Sequence, residues 1–323
     1  MTDNDLRLAN LFLPHAMARI AAAKSKPNFR FAYYTSASTG MKILDNNEAW
    51  LRNASLMNDF SEVHHGQNCI FNAWEHTEAG TKLKALLTLL HPGAVDQFSK
   101  KFNDDQPSRT TQSYILCMSE HGDDNADEDQ YGRLSMWRAY GGDTNVAFIL
   151  KSTPFFSETA AIDAYTSPVI YKDISSFEEP FSEFVDGLDK DLNFLREVGW
   201  ETIQLWLFQA MRFSVLSTKH PGFLEEKEWR IIFDPARNNK DRIKPDIVTL
   251  DGIPQKIVKL PFTNYPEDGL FGIEIPEILD KIIVGPTQFP FEIRTSFVEK
   301  LLKLGVENAQ ERVVVSGIPL RRK

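Results

Sequence analysis

The sequence predicts an α+β fold in which strands and helices mix without regular β-α-β alternation, and three observations carry that expectation. Runs rich in aromatic and β-branched residues, such as "FRFAYYTS" (29–36) and "NVAFILK" (145–151), have the composition of strands. Longer stretches at 61–91 and 177–216 repeat their Phe, Leu and Trp at helical spacing. No internal repeat, low-complexity tract or clear linker divides the chain. One α+β domain over 29–323 is therefore expected, with a helical insertion at about 174–218 and an N-terminal helical extension at 1–28.

The elements follow in order. Residues 5–25 read as helix, with Pro14 at a break or a first turn. After the strand at 29–36, Ser38 is expected to cap a short helix through Leu44, and "EAWLRNAS" (48–55) to return as a strand. The helical run from Ser61 stops at Pro92 and Gly93. "SYILCMS" (113–119) is a third strand, "EHGDDNADEDQYG" (120–132) an acidic polar loop, and "RLSMWRAYGG" a short helix ended by glycine. Beyond the long helical stretch come "GFLEEKEWRIIF" (222–233), strands near 247–250 and 256–260, "KIIVG" (281–285), a helix at 291–304 and a last strand "RVVVS" (312–316).

Composition sets bounds on function. The 323 residues are 42% hydrophobic and 25% charged, the balance of a globular chain with a substantial core. A net charge of −9 argues against a broad phosphate-tracking surface, which needs clustered Lys and Arg. Two distant cysteines, Cys69 and Cys117, make neither a disulfide framework nor a CxxC metal site, so a reducing cytoplasm is expected. The acidic start "MTDNDLRLAN" is no signal peptide, and the greasiest window, "WLFQAMRFSVL", is too short to span a bilayer. No membrane partner is expected.

Within "EKEWRIIF", extended-chain alternation puts Glu226, Glu228 and Arg230 on one side and Trp229, Ile231 and Phe233 on the other. Spacing alone reads this as an edge strand with a solvated charged side. Other motifs carry less. Asp123, Asn125 and Asp127 imitate a calcium loop, but Glu128 replaces its glycine and Leu134 its bidentate glutamate. His64 and His65 are adjacent, no HExxH exists, and no metal site is expected. GxGxxG, P-loop and GxSxG patterns are absent. Trp137 and Tyr140, three apart on a helix, read first as core, and Asn58 and Asp59 as turn formers.

The order "YYTS…IL…WLRNASLMNDFSE…CMSE…MWRAYGG…VAFIL…EKEWRIIF…IIVGP…VVVSGIPLR" resembles the bacterial family called domain of unknown function 2971, from about residue 29 onward. It also resembles, more loosely, the ADP-ribosyltransferase superfamily. That second resemblance implies split antiparallel sheets around a cleft that takes NAD as substrate. It implies Tyr33 with Thr35 on the first strand, Ser55 at the end of the second with Asn58 beyond it, and a Glu-x-Glu formed by Glu226 and Glu228. Glu228 would stabilise positive charge on the ribose as the nicotinamide bond breaks, and Glu226 would orient or deprotonate the acceptor. Tyr33, Trp137 or Tyr140 would stack on the cofactor, and Arg230 or Arg30 would pair with its pyrophosphate. The acceptor, whether protein, nucleic acid or small molecule, is open. So is an antitoxin or regulatory partner in bacterial conflict or phage defence. The alternatives are a non-catalytic nucleotide- or protein-binding module and, behind it, a nuclease-type toxin.

Overall fold

The computed structural model describes residues 2–57, 61–122, 125–140, 142–157, 159, 161–235, 240–250 and 252–319. The chain opens with α1 (Asp3–Phe12) and α2 (Pro14–Lys24), then β1 (Arg30–Ser36), α3 (Ala37–Asn46) and β2 (Glu48–Asn53). A helical run follows: α4 (Ser61–His76), α5 (Glu78–Leu90), α6 (Ala94–Asp104) and α7 (Gln106–Gln112). Next come β3 (Tyr114–His121), α8 (Ala126–Tyr131), α9 (Leu134–Tyr140), β4 (Asn145–Lys151), β5 (Ala164–Pro168) and β6 (Ile170–Tyr171). Helices α10 (Glu178–Lys190), α11 (Leu192–Val198) and α12 (Trp200–Ser217) lead to β7 (Thr218–Lys219) and β8 (Glu228–Phe233). The chain continues through β9 (Lys244–Leu250), β10 (Ile253–Pro261), α13 (Ile275–Ile278), β11 (Leu279–Val284), α14 (Pro290–Lys303), α15 (Ala309–Arg312) and β12 (Val313–Val315). The fold is mixed α+β, with a largely antiparallel sheet.

Contacts group the chain into two compact units, which divide it differently from the expected extension, domain and insertion. The first gathers Met1–Ala22, Arg52–Ile115 and Ser167–Leu224; the second gathers Ala23–Leu51, Leu116–Thr166 and Glu225–Lys323.

The first unit is mainly helical. The expected helix at 61–91 is two helices, because Thr77 stops one and starts the next. Its hydroxyl donates to Ala73 O at 2.7 Å and accepts from Gly80 N at 3.1 Å. A second surprise is α6 and α7, which fill 94–112 where no helix was expected. The broad apolar face of α12 packs on α4, with Leu207, Val215 and Leu216 fully buried. Two cations are buried with partners: Arg212 donates to Ser113 Oγ at 3.2 Å, and Lys219 pairs with Glu62 at 2.9 Å. A short parallel pair, β6 with β7, completes this unit.

In the second unit β4 lies between β11 and β1, antiparallel to both, and β12 joins β11 in parallel. Strand β1 keeps β4 for its whole length, Arg30–Ser36, but pairs with β3 only over Arg30–Ala32. The two strands part beyond Ala32. On its other side β3 pairs with β8, which also pairs with β5. Strands β9 and β10 form a hairpin.

Two sequence expectations about "EKEWRIIF" are overturned. All six residues of β8 are buried, because the strand has neighbours on both sides and is no solvated edge. Nor do Glu226 and Glu228 share a strand face. Glu226 ends a 3₁₀ turn, Pro221–Glu226, and Lys227 stands at φ 43°, so strand alternation starts only at Glu228. The described parts of the acidic segment belong to regular elements rather than a loop. There β3 runs on to His121, and α8 starts on an Asn125 side chain that accepts from Asp127 N and Glu128 N. Ser36, rather than Ser38, caps α3.

Candidate functional site

The chemistry-bearing side chains of the second unit sort by sheet face. Phe31 and Trp229 touch at a ring separation of 5.5 Å, with Phe29 and Phe156 beside them, which fixes one face. Alternation along β1 puts Tyr33 and Thr35 on the side of Phe31. Alternation along β8 puts Glu228 and Arg230 opposite Trp229. Tyr33 therefore does not share a side with Glu228. Its neighbour Tyr34 projects to the other side of β1, into a core cluster with Met136, Trp137 and Ile283.

Around Tyr34 a polar constellation forms. Its hydroxyl accepts from Arg133 N at 2.9 Å, and burial pushes its pKa up to about 12. The Arg133 guanidinium donates to Glu226 O and Glu120 O, each at 2.8 Å, and to Glu128 Oε1 at 2.5 Å. One side chain thus ties the ends of β3, α8 and the 3₁₀ turn together. At that turn Glu226 is half-buried, and its Oε1 accepts from the Tyr140 hydroxyl at 2.9 Å. The result is a partly solvated carboxylate held by a phenol beside a fixed arginine.

Glu228 is in a different situation. It is 5% exposed, and Arg230, 2% exposed, grips it with Nε–Oε1 at 2.7 Å and a second nitrogen at 3.3 Å from Oε2. This bidentate pair compensates both charges. Arg230 is accordingly committed to a carboxylate inside the protein, and its expected pairing with a pyrophosphate is not the contact the structure gives it.

Trp137 is also committed. It is fully buried, edge-on to Tyr34 at 4.7 Å, with its indole N–H donated to Tyr131 O at 2.9 Å. Gly285 leaves room for the ring, since a Cβ there would sit 2.7 Å from Trp137 Cε3. The indole offers no open face for stacking, which corrects the expectation placed on it. Tyr140 keeps partial exposure. Thr35 is buried near the end of the β1–β4 pairing, opposite Val146. Ser55 belongs to the first unit, where its hydroxyl donates to Asn53 Oδ1 at 2.6 Å. Asn58 lies outside the described residues, as does Asp123 of the calcium-like segment.

Spacing did not disclose Tyr34, Arg133 or Glu128. The doubled tyrosine of "AYYTS" was the only available signal for the first. Arg133 donates to two backbone carbonyls as well as to Glu128, and carbonyls leave no trace in a residue pattern. Arg30, the other expected pyrophosphate partner, is bound to Asp129 at 2.8 Å and Asp280 at 2.6 Å. Among the described residues no group of three or more His, Cys, Asp and Glu side chains is arranged to hold a metal ion. Nor is any described helix long and apolar enough to cross a membrane.

A family model described as "Protein of unknown function (DUF2971)" matches residues 136–231. The matched span, narrower than the expected one from residue 29, begins inside α9 and ends inside β8. Its two ends are the segments that supply Tyr140, Glu226, Glu228 and Arg230. No curated protein and no solved structure matches the chain.

Proposed function

We propose that the second unit is an NAD-dependent ADP-ribosyltransferase centred on Glu226, which releases nicotinamide and passes ADP-ribose to an acceptor. One observation carries the reading: a partly solvated carboxylate is fixed by the Tyr140 hydroxyl next to an immobilised arginine. A carboxylate held in this way stabilises positive charge as it develops on a ribose carbon, and fixing it beforehand avoids reorganisation during reaction. The parting of β1 from β3 beyond Ala32 supports a split-sheet cleft at which a dinucleotide would enter. Glu228 then acts as a positioning residue, its charge neutralised by Arg230 while the pair holds the start of β8 in place.

The test is nicotinamide release from labelled NAD by the purified chain, with water taking the ribose carbon in place of the acceptor and free ADP-ribose as the second product. Wild type is expected to turn over, and Glu226→Gln to lose at least about a hundredfold in rate with an unchanged melting profile, the scale of a removed charge-stabilising group. Absence of both NAD binding and nicotinamide release would end the proposal. The buried Glu228–Arg230 pair favours a second reading, a non-catalytic module that only binds a nucleotide or protein. It predicts a rise in melting temperature with NAD, no product, and the same rise in Glu226→Gln.

A further inference from the structure

We propose that the first, helical unit holds a binding cavity for a small neutral apolar molecule of single-ring size that carries one hydroxyl. The cavity measures about 70 Å³, whereas one water needs roughly 10–15 Å³. Phe12, Ile70, Phe177, Phe181, Phe184 and Met211 supply its apolar wall. The phenylalanines form a tilted chain, with ring separations of 6.4 Å for Phe177–Phe181, 6.1 Å for Phe181–Phe184 and 6.2 Å for Phe184–Phe12. Such a surface accepts an aromatic or branched aliphatic body and favours ring-to-ring packing.

The polar part of the lining selects the functional group. Ser217 Oγ donates to Ser167 Oγ at 3.1 Å, and Ser167 Oγ donates to Pro168 O at 3.4 Å, so both hydroxyls are already engaged. His15 also lines the cavity, and its Nε2 is buried with no hydrogen-bonding partner among the described residues. Burial first, then the charges of Arg19 and Lys172, lowers its pKa to about 4, which keeps the imidazole neutral at pH 7. A neutral imidazole nitrogen is a donor or an acceptor according to tautomer, and a hydroxyl can answer either. A carboxylate would have to shed its water against the phenylalanine wall, at a large cost. The chemistry points to a phenol or small alcohol.

Isothermal titration of the full chain with 4-methylphenol, toluene and 4-methylbenzoate tests this. The expected result is saturable one-to-one binding of 4-methylphenol and about tenfold weaker binding of toluene, the effect of one hydrogen bond. His15→Ala should remove the difference between the two ligands, and Ser214→Leu, which fills the cavity, should abolish binding of both. Should Ser214→Leu fail to fold, the ¹⁵N shift of His15 Nε2 in wild type decides, since it must move on adding 4-methylphenol. No saturable heat, equal affinity for toluene, tighter binding of 4-methylbenzoate, or an unmoved His15 signal would each overturn the proposal. Because the cavity lies wholly within the first unit, its failure leaves the Glu226 reading untouched.

Discussion

Glu228 and Arg230 carry the sharpest expectation for a single side chain. Both are buried, so removing one leaves the other's charge without its partner inside the protein. Arg230→Ala is expected to cost about 3–5 kcal/mol in a urea titration. The double variant Glu228→Leu/Arg230→Met should cost clearly less, and equal losses would show that the pair is not what holds this position. His121 gives a pH expectation. It is 1% exposed, both ring nitrogens lack hydrogen bonds to the described residues, and Asp129 Oδ1 lies 3.4 Å from Nε2. Burial, then the Arg30 charge, lowers its pKa to about 4, against the pull of Asp129; Lys281 and Arg133 push the same way as Arg30. An unfolded histidine takes its proton near 6.5, the folded one only near 4. The unfolded state therefore binds more protons between those values, and stability falls as pH falls through that window, by up to on the order of 3 kcal/mol. Urea midpoints at pH 7 and 4.5 should differ less in His121→Leu than in wild type. At this scale the sequence was legible in part. Alternation tells which residues of a strand share a side, but not which side meets a given neighbour, and so nothing in "AYYTS" announces that Tyr34 meets Arg133 and Trp137.

Among elements, the strands rich in aromatics and the helices with clear apolar stripes were readable, because burial on one or both sides shapes their sequences directly. The helices at 94–112 were not. In α6 only Ala94 and Phe98 are buried, which leaves most of the helix with the polar composition of a loop. Strand β5, five residues long, is a strand mainly because β8 pairs with it, and no local pattern announces that. The bend at Lys227 was equally hidden, since lysine rarely adopts a positive φ and nothing in "EKEW" forecasts one. A close helix approach supplies the prediction that belongs here. A Cβ at Gly66 of α4 would lie 2.1 Å from Val215 O of α12. Gly66→Ala must push the two helices apart and should cost about 1–3 kcal/mol despite alanine's better helix propensity, read as a lower midpoint in thermal denaturation followed by circular dichroism.

For the molecule as a whole, the distribution of each unit over three separated segments matters most. Length and composition told of a large core but not of this interleaving, because long-range contacts leave no local signature. Cutting the chain after residue 224 would keep every segment of the first unit and take β8 through β12 from the second. A chain ended there is expected to retain helical circular dichroism while losing the Phe31–Trp229 packing, seen as a fall in the near-ultraviolet signal to the part that Trp74, Trp200 and Trp206 supply. Synthesis meets the same arrangement in time. The ribosome delivers residues 1–22 and 52–115 long before 167–224, so the helices of the first unit wait, with their apolar sides uncovered, until most of the polypeptide has been made. A nascent chain in that condition is a client for holding chaperones, and its yield in a cell should track their supply more closely than the finished protein's stability would indicate.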